Sequence, residues 1–66
     1  MSQQDIISMV HKHASSYNFN VTDYAIMANA IGDIIVLLYD RLTLVIHKNS
    51  SPEQITYNLE RFFSFV

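Results

Sequence analysis

Two stretches of the chain place apolar residues at helical spacing between clear start and stop signals. In the first stretch, Ser2 and Asp5 stand three positions apart, as in a capping box that opens a helix. Asn18 and Asn20 then interrupt the pattern with residues that favour turns. We therefore predict an amphipathic helix of roughly 15 residues, whose apolar face is formed by Ile6, Ile7, Val10, Ala14 and Tyr17.

The last stretch carries the strongest helix signals in the chain. Ser51 suits the N-cap, Pro52 the first helical position, and Gln54 the capping-box partner of Ser51. Glu53 adds a negative charge at the positive end of the helix dipole. These signals predict a C-terminal helix with an apolar stripe made of Ile55, Leu59, Phe62, Phe63 and Val66.

The middle segment is apolar on nearly every side, which leaves two interpretations open. In the favoured one, Thr22 caps a single helix of about 26 residues that ends near Lys48, with Asn49 as its C-cap. Val21 and Ile26 are placed to pack against each other at its start, as a hydrophobic staple. The main stripe of this helix would contain Met27, Ala28, Ile31, Ile35, Leu38, Leu42 and Val45.

In the alternative interpretation, the middle segment contains a β-hairpin. Ile34–Tyr39 and Leu42–His47 would pair around Asp40-Arg41, and Gly32 would end a shorter helix. The segment is rich in β-branched residues, which favour strands. Asp-Arg is nevertheless a poor two-residue turn, and an isolated hairpin is marginally stable. We therefore favour the continuous helix.

The predicted fold class is all-α, a single domain of residues 1–66 with three helices and a long central one. That central helix would be about 39 Å long, and the two flanking helices, at roughly 20–23 Å, could not cover it. We therefore expect two copies to pack as a homodimeric helical bundle. In the hairpin alternative the fold is α+β, and open strand edges pair across a two-fold axis. The expected interface consists of Ile34, Leu38, Leu42, Val45, Phe62 and Phe65.

The composition excludes several classes of protein. Half of the 66 residues are apolar and 15% are charged, which is too apolar for a disordered chain. The absence of cysteine excludes a disulfide framework, a thiolate zinc site and a catalytic thiol. A net charge of -2 argues against a nucleic-acid partner.

Residues 24–46 have the length and the apolar character of a membrane span, but their charges argue against that assignment. Asp33 lies near the middle, and Asp40 and Arg41 follow it. Each charge would cost about 2.5–3.5 kcal/mol at the centre of a bilayer. Residues 1–10 also lack the basic and apolar regions of a signal peptide. We expect a cytoplasmic protein, with a single-pass membrane protein as an alternative.

No motif predicts catalysis, a cofactor or a metal. His11 and His13 are two positions apart, so on a helix their side chains point in different directions and cannot hold one ion. His47 is a third candidate ligand. Phosphate-binding loops, dinucleotide fingerprints and nucleophile elbows are absent from the sequence. We therefore predict no catalytic, cofactor-binding or metal-ligating residue.

Asp33 is the charged residue with the most unusual setting, because it stands in the most apolar part of the chain. A buried carboxylate needs a partner or a raised pKa. One interpretation is that Asp33 binds Arg41 or Arg61 across an interface. The other places Asp33 on a narrow polar stripe with Asn29 and Asp40.

The order of the elements is similar to that of a known family. The residues that carry the similarity are the helix ending in Lys12-His13-Ala14, the helix start at Thr22-Asp23, the run Ile26-Met27-Ala28-Asn29-Ala30-Ile31, and a last helix with Ile55, Leu59 and Phe62. They resemble the YejL-like family of short, uncharacterised proteobacterial proteins. The resemblance implies a helical, dimeric fold in a bacterial protein, and it implies no particular activity.

These observations predict a small, non-enzymatic protein-interaction module. The apolar excess and the lack of a catalytic motif both favour a homodimer that regulates or inhibits another protein. The expected partners are a second copy of the chain and another protein, without nucleic acid or cofactor. The alternative from another class is an enzyme or ligand-binding subunit that uses Asp33 at an interface.

Overall fold

The computed structural model describes residues 1–65 of the chain. In chain order, its elements are helix α1 (Gln3–Ser16), strands β1 (Tyr24–Ala28), β2 (Ile34–Leu38) and β3 (Leu42–Ile46), and helix α2 (Pro52–Ser64). The strands form one antiparallel sheet in the order β1-β2-β3. Both helices pack on the same face of that sheet, so the architecture is α+β with two layers.

The middle of the chain is a sheet, and the prediction of an all-α fold with a long central helix is therefore wrong. β2 and β3 form the hairpin of the alternative interpretation, whereas neither interpretation anticipated β1. Without the central helix, the predicted helical bundle is wrong as well. The helical fold that the YejL-like resemblance implied also differs from the observed one. Residues 24–46, considered above as a membrane span, contain these three strands. In the part of the chain that the structure describes, no helix is long and apolar enough to cross a membrane.

The starts of both helices are confirmed, together with their capping boxes. At α1, the Asp5 backbone N–H donates to Ser2 Oγ at 3.2 Å, and the Ser2 N–H donates to Asp5 Oδ2 at 3.0 Å. At α2, the Gln54 N–H donates to Ser51 Oγ at 3.2 Å, and the Ser51 N–H donates to Gln54 Oε1 at 3.0 Å. These bonds use side chains within one turn of the helix start, so they form without tertiary contacts. Val66, predicted to join the stripe of the last helix, lies outside the described residues.

A first reversal, between β1 and β2, is one reason why residues 22–48 do not form one helix. The Asn29 side-chain oxygen accepts the backbone N–H groups of Ile31 (3.1 Å) and Asp33 (2.9 Å), which folds the chain back at this point. Gly32 has a φ of 93°, a left-handed conformation in which a side chain would be strained. Thr22, predicted to cap a helix, lies instead in a turn that precedes β1.

The second reversal joins β2 to β3 and lies one residue earlier than the hairpin interpretation placed it. Tyr39 and Asp40 have φ values of 54° and 58°, and the Arg41 N–H donates to the Leu38 carbonyl at 3.1 Å. The strand partners Leu38 and Leu42 leave three residues in this loop. Positive φ at the first two of them is the backbone conformation of the turns that suit the twist of a hairpin. The centre of the Tyr39 ring lies 5.8 Å from the centre of the Phe19 ring, so the side chain of this left-handed residue packs on the loop that follows α1.

The core lies between the helices and the covered face of the sheet. Alternate residues of β2 point into it, which is the period of two expected of a strand. α1 and α2 each add residues at spacings of four, the period of one helical face. The buried apolar residues are Ile6, Val10, Ala14, Ile34, Val36, Leu38, Ile46, Ile55, Leu59 and Phe63.

Candidate interaction surface

The second face of the sheet carries six side chains that neither helix covers. The strand register sets them in two rows, which are Ala25–Leu37–Thr43 and Met27–Ile35–Val45. We call these six residues the open face. All of them are apolar apart from Thr43, and none is charged. These side chains lack the free energy that burial of apolar surface would give them, which makes this face a candidate contact surface.

The centre of the open face is formed by β2, whose five residues are all apolar. An apolar run of this kind is typical of a strand that is covered on both sides. Ile35 and Leu37 are half-buried by their neighbours, while Met27 and Val45 at the flanks are 47% and 43% exposed. Three five-residue strands give a platform of about 17 Å by 14 Å. β2 therefore has the sequence of a sandwiched strand, but only one layer of this chain packs on it.

A polar cleft of about 350 Å³ borders one end of the open face. It contains the carboxylates of Asp23 and Asp40 beside Ala25 and Leu37 of the open face. The Asp23 carboxylate accepts the backbone N–H of Asn20 at 2.8 Å. This end of the platform is therefore negatively charged, whereas the platform itself is neutral.

A second surface lies at the free edge of β3, where α2 runs beside it. The two elements enclose a groove of about 290 Å³ lined by Leu42, Thr43, Leu44, Asn58, Arg61, Phe62 and Phe65. Phe65 is 81% exposed, and none of the lining side chains among residues 1–65 is acidic. The Arg61 guanidinium donates to the Tyr57 hydroxyl at 2.9 Å and lies 5.5 Å from the centre of that ring. The groove is thus mainly apolar, with one cation held at its border.

The residues predicted for the dimer interface fall into two groups. Ile34 and Leu38 are completely buried in the core of one chain, so they have no surface to offer to a partner. The remaining residues reach the surface, three of them in the groove and one on the open face; they are Leu42, Phe62, Phe65 and Val45. Helical spacing had placed all of them on one stripe, whereas strand geometry sends Leu38 and Val45 to opposite faces.

Asp33 is buried, with 5% of its surface exposed, and its partners are all local to the sheet. Its Oδ1 accepts the backbone N–H of Lys48 at 3.0 Å, and its Oδ2 lies 3.3 Å from His47 Nδ1 and 3.5 Å from Asn29 Nδ2. The bond from Lys48 lowers the pKa of the Asp33 carboxyl, against the opposing effect of burial. Neither arginine proposed as its partner takes part, so Asp33 ties the β1–β2 turn to the end of β3.

The three histidines lie apart, each with a different role. His11 Nδ1 and the Tyr24 hydroxyl share a hydrogen bond of 2.6 Å, and burial raises the pKa of that hydroxyl. His13 Nδ1 donates to the Met9 carbonyl at 2.8 Å within α1. His47 is 76% exposed beside Asp33. Within residues 1–65, no group of three or more His, Cys, Asp and Glu side chains is placed to hold a metal ion.

The open face is a surface that the sequence pattern alone did not reveal. A signal for it was present in the five consecutive apolar residues of β2, which supply both faces of a strand equally. That signal is informative only once the segment is known to be a strand.

No match to this chain was found among protein-family models, curated proteins or solved structures.

Proposed function

We propose that this chain is a non-enzymatic protein-interaction module whose open face binds an amphipathic helix of another protein. The observation that carries the proposal is the apolar, uncharged side of β2, which is left uncovered by the two helices of the chain. A protein partner of matching chemistry would remove this surface from water and so gain the free energy of apolar burial.

A helix is the occupant that best fits the dimensions of the open face. The platform is about 14 Å wide, which is close to the 10–12 Å diameter of one helix. The same sheet already packs helices on its other face, so its twist is suited to that arrangement. The acidic cleft at Asp23 and Asp40 adds a charge preference. The proposed helix therefore has an uncharged apolar stripe and a lysine or arginine at the end that reaches this cleft.

The expected binding is weak to moderate, because the platform is small. An area of about 240 Å² contributes roughly 6 kcal/mol at 25 cal/mol per Å², before the cost of association is subtracted. A binding affinity in this range suits a regulator that binds its partner reversibly. As part of this proposal we place its action in the cytoplasm, a reducing compartment with which a chain without cysteine is compatible.

The test is photo-crosslinking from the open face in cells of the native source. A photoreactive residue at Met27 should label one discrete protein, and the labelled peptide should map to the apolar side of a helix. The same residue at Tyr57, on the outer side of α2, is the matched control and should label nothing discrete. Leu37→Lys should abolish the Met27 product while circular dichroism stays unchanged. Equal labelling from both positions, or attachment to lipid or to a second copy of the chain, would overturn the proposal.

A further inference from the structure

The free edge of β3 offers a second binding surface beside the open face, with which it shares Thr43. We propose that two copies of the chain pair antiparallel through β3, giving a six-stranded sheet with a two-fold axis at Leu44. The open faces of the two chains would then lie side by side on one surface, because residues directly opposite each other in an antiparallel pair point to the same side.

Hydrogen bonds at the ends of β2 establish which backbone groups of β3 are free. The Tyr39 N–H donates toward β1, to the Asp23 carbonyl at 2.8 Å, and the Leu38 carbonyl accepts from Arg41 on the β3 side at 3.1 Å. Bonding direction alternates along a strand, so the even-numbered residues of β2 bond the even-numbered residues of β3. The N–H and C=O groups of Thr43 and Val45 therefore point outward from the edge.

This edge has none of the features that usually prevent strand pairing. β3 has the sequence LTLVI, without charge, proline or glycine. The other edge of the sheet differs, since at β1 the Tyr24 hydroxyl is bonded to His11 of α1 and the acidic cleft lies next to that strand. Pairing through β3 satisfies the free backbone groups, and the strand itself brings no charged side chain to the contact.

One register uses all of the outward groups. With Leu44 opposite Leu44 of the partner subunit, Thr43 lies opposite Val45 of the partner subunit, and each of these residues bonds through both of its backbone groups. The Leu44 pair is then of the non-hydrogen-bonded kind, with Cα atoms about 4.5 Å apart. Registers centred on Thr43 or on Val45 leave part of the strand unpaired.

The groove beside the edge extends the contact into the helical layer. Leu42 and Leu44 are partly exposed there, next to Phe62 and Phe65 of α2. A two-fold axis at Leu44 sets this apolar groove against its own copy, which is the self-complementary contact of an isologous dimer. The described side chains that line the groove include no acid, so they place no carboxylate pair in the interface.

The size of the contact predicts a concentration-dependent dimer. A strand about 17 Å long and two layers about 20 Å deep give a flat patch of roughly 340 Å² for each chain, below the about 800 Å² of a standard stable interface. We expect the molar mass to double at high protein concentration and to return to that of one chain on dilution.

The sharpest test is a single cysteine at the proposed axis, because the chain has no cysteine of its own. Under mild oxidation, Leu44→Cys should give a disulfide-linked dimer, since Cα atoms about 4.5 Å apart lie within the range of a disulfide. Thr43→Cys is the matched control; its two copies would be more than about 7 Å apart and cannot be bridged. Efficient linkage at Thr43 without linkage at Leu44 would indicate face-to-face packing and overturn the proposal.

A second variant tests the backbone bonds in the otherwise unmodified chain. Thr43→Pro removes one outward N–H and leaves the β2–β3 bonds in place, as proline is tolerated on the free side of an edge strand. Light scattering across a dilution series should show complete loss of the dimer, with unchanged circular dichroism. A dimer that persists in this variant, or an original chain that stays monomeric at millimolar concentration, would each contradict β3 pairing. Neither result bears on the helix proposed for the open face, which the crosslink at Met27 tests separately.

Discussion

The two faces of β2 are built from the same kinds of side chain, but they have different surroundings. Ile34, Val36 and Leu38 point toward the helices and are completely buried. Ile35 and Leu37 alternate with them along the strand and stay half-exposed on the open face. Side-chain chemistry does not distinguish the two sets. The difference arises because α1 and α2 supply enough apolar surface for one face only.

The comparison shows that an apolar residue stabilises this domain only where the chain itself covers it. Ile6, Val10 and Ala14 of α1, together with the buried residues of α2, provide that cover. On the open face the same apolar area remains in contact with water until another molecule binds. The covered face therefore maintains the fold, and the open face is available for recognition.

The largest effect is expected from truncating the buried one of two adjacent leucines that point to opposite faces of the sheet. Leu38→Ala removes a completely buried side chain and should cost about 2–5 kcal/mol, because it leaves a cavity. A domain of this length has roughly 3–10 kcal/mol of stability in total, so this variant should be partly unfolded. Leu37→Ala on the open face should cost about 1 kcal/mol or less. Urea unfolding followed by circular dichroism compares the two, and equal shifts in midpoint would refute the distinction.

The buried carboxylate at the end of β2 gives a smaller effect that depends on pH. The Lys48 backbone N–H holds the pKa of the Asp33 carboxyl below its ordinary value of 3.8. Because the folded pKa is the lower one, the stabilisation is complete above the unfolded pKa and is lost as pH falls through the folded pKa. Stability should therefore decline in this acid range, and Asp33→Asn should reduce that decline.

The control for the pH experiment is the second carboxylate whose pKa is lowered. Hydrogen bonds from Ser2, chiefly from its backbone, lower the pKa of Asp5, so part of the acid sensitivity comes from the start of α1. Asp5 is unchanged in Asp33→Asn. The difference in urea midpoint between the original chain and this variant, measured across pH, therefore isolates the contribution of Asp33. An identical pH profile in both proteins would mean that the buried carboxylate does not stabilise the fold.

The start of α2 tests how strongly the covering layer depends on a local cap. Ser51→Ala removes the acceptor for the Gln54 N–H and should cost about 1 kcal/mol. Ser50→Ala is the matched control, one residue earlier and outside the capping box. Thermal unfolding of the two variants should separate them by several degrees. Equal midpoints would show that the packing of α2 on the sheet holds its first turn without the cap.

The smallest change in stability is expected from placing a charge on the open face. Leu37→Lys should shift the free energy of unfolding by only about 0.5 kcal/mol, because a long side chain can extend into water there. The same variant should lower the fluorescence of an apolar dye such as anilinonaphthalene sulfonate, which reports exposed apolar surface. Full dye binding by the lysine variant would mean that the apolar site on this molecule lies elsewhere, with the groove at β3 as the next position to test.

The predictions from sequence succeeded where the structural signal was local. Ser2 with Asp5, and Ser51 with Gln54, form their capping boxes as expected, because each box needs only residues three positions apart. For the middle segment the prediction from periodicity was wrong. A segment that is apolar at every position satisfies a period of 3.6 and a period of two equally well, so periodicity cannot distinguish a helix from a strand there.

The candidate surface was predicted only in part for the same reason. Leu42, Phe62 and Phe65 were expected to be available to a partner, and they line the groove. Ile34 and Leu38 were expected beside them because helical spacing sets these residues on a common stripe. As strand residues they point into the core instead. Because a helical period was assigned to a segment that forms strands, residues of the core were predicted to lie at the interface.

The amino-acid sequence by itself determined where the two helices begin, which face of each is apolar, and that the chain has enough apolar residues to form a core. Only the tertiary structure decided that residues 24–46 form three strands. Tyr39 adopts a left-handed conformation that is uncommon for a residue with a bulky side chain, and it does so within a hairpin packed against two helices. The tertiary structure also decided which face of β2 is covered, because packing against the helices acts between distant segments and leaves no short-range signal in the sequence.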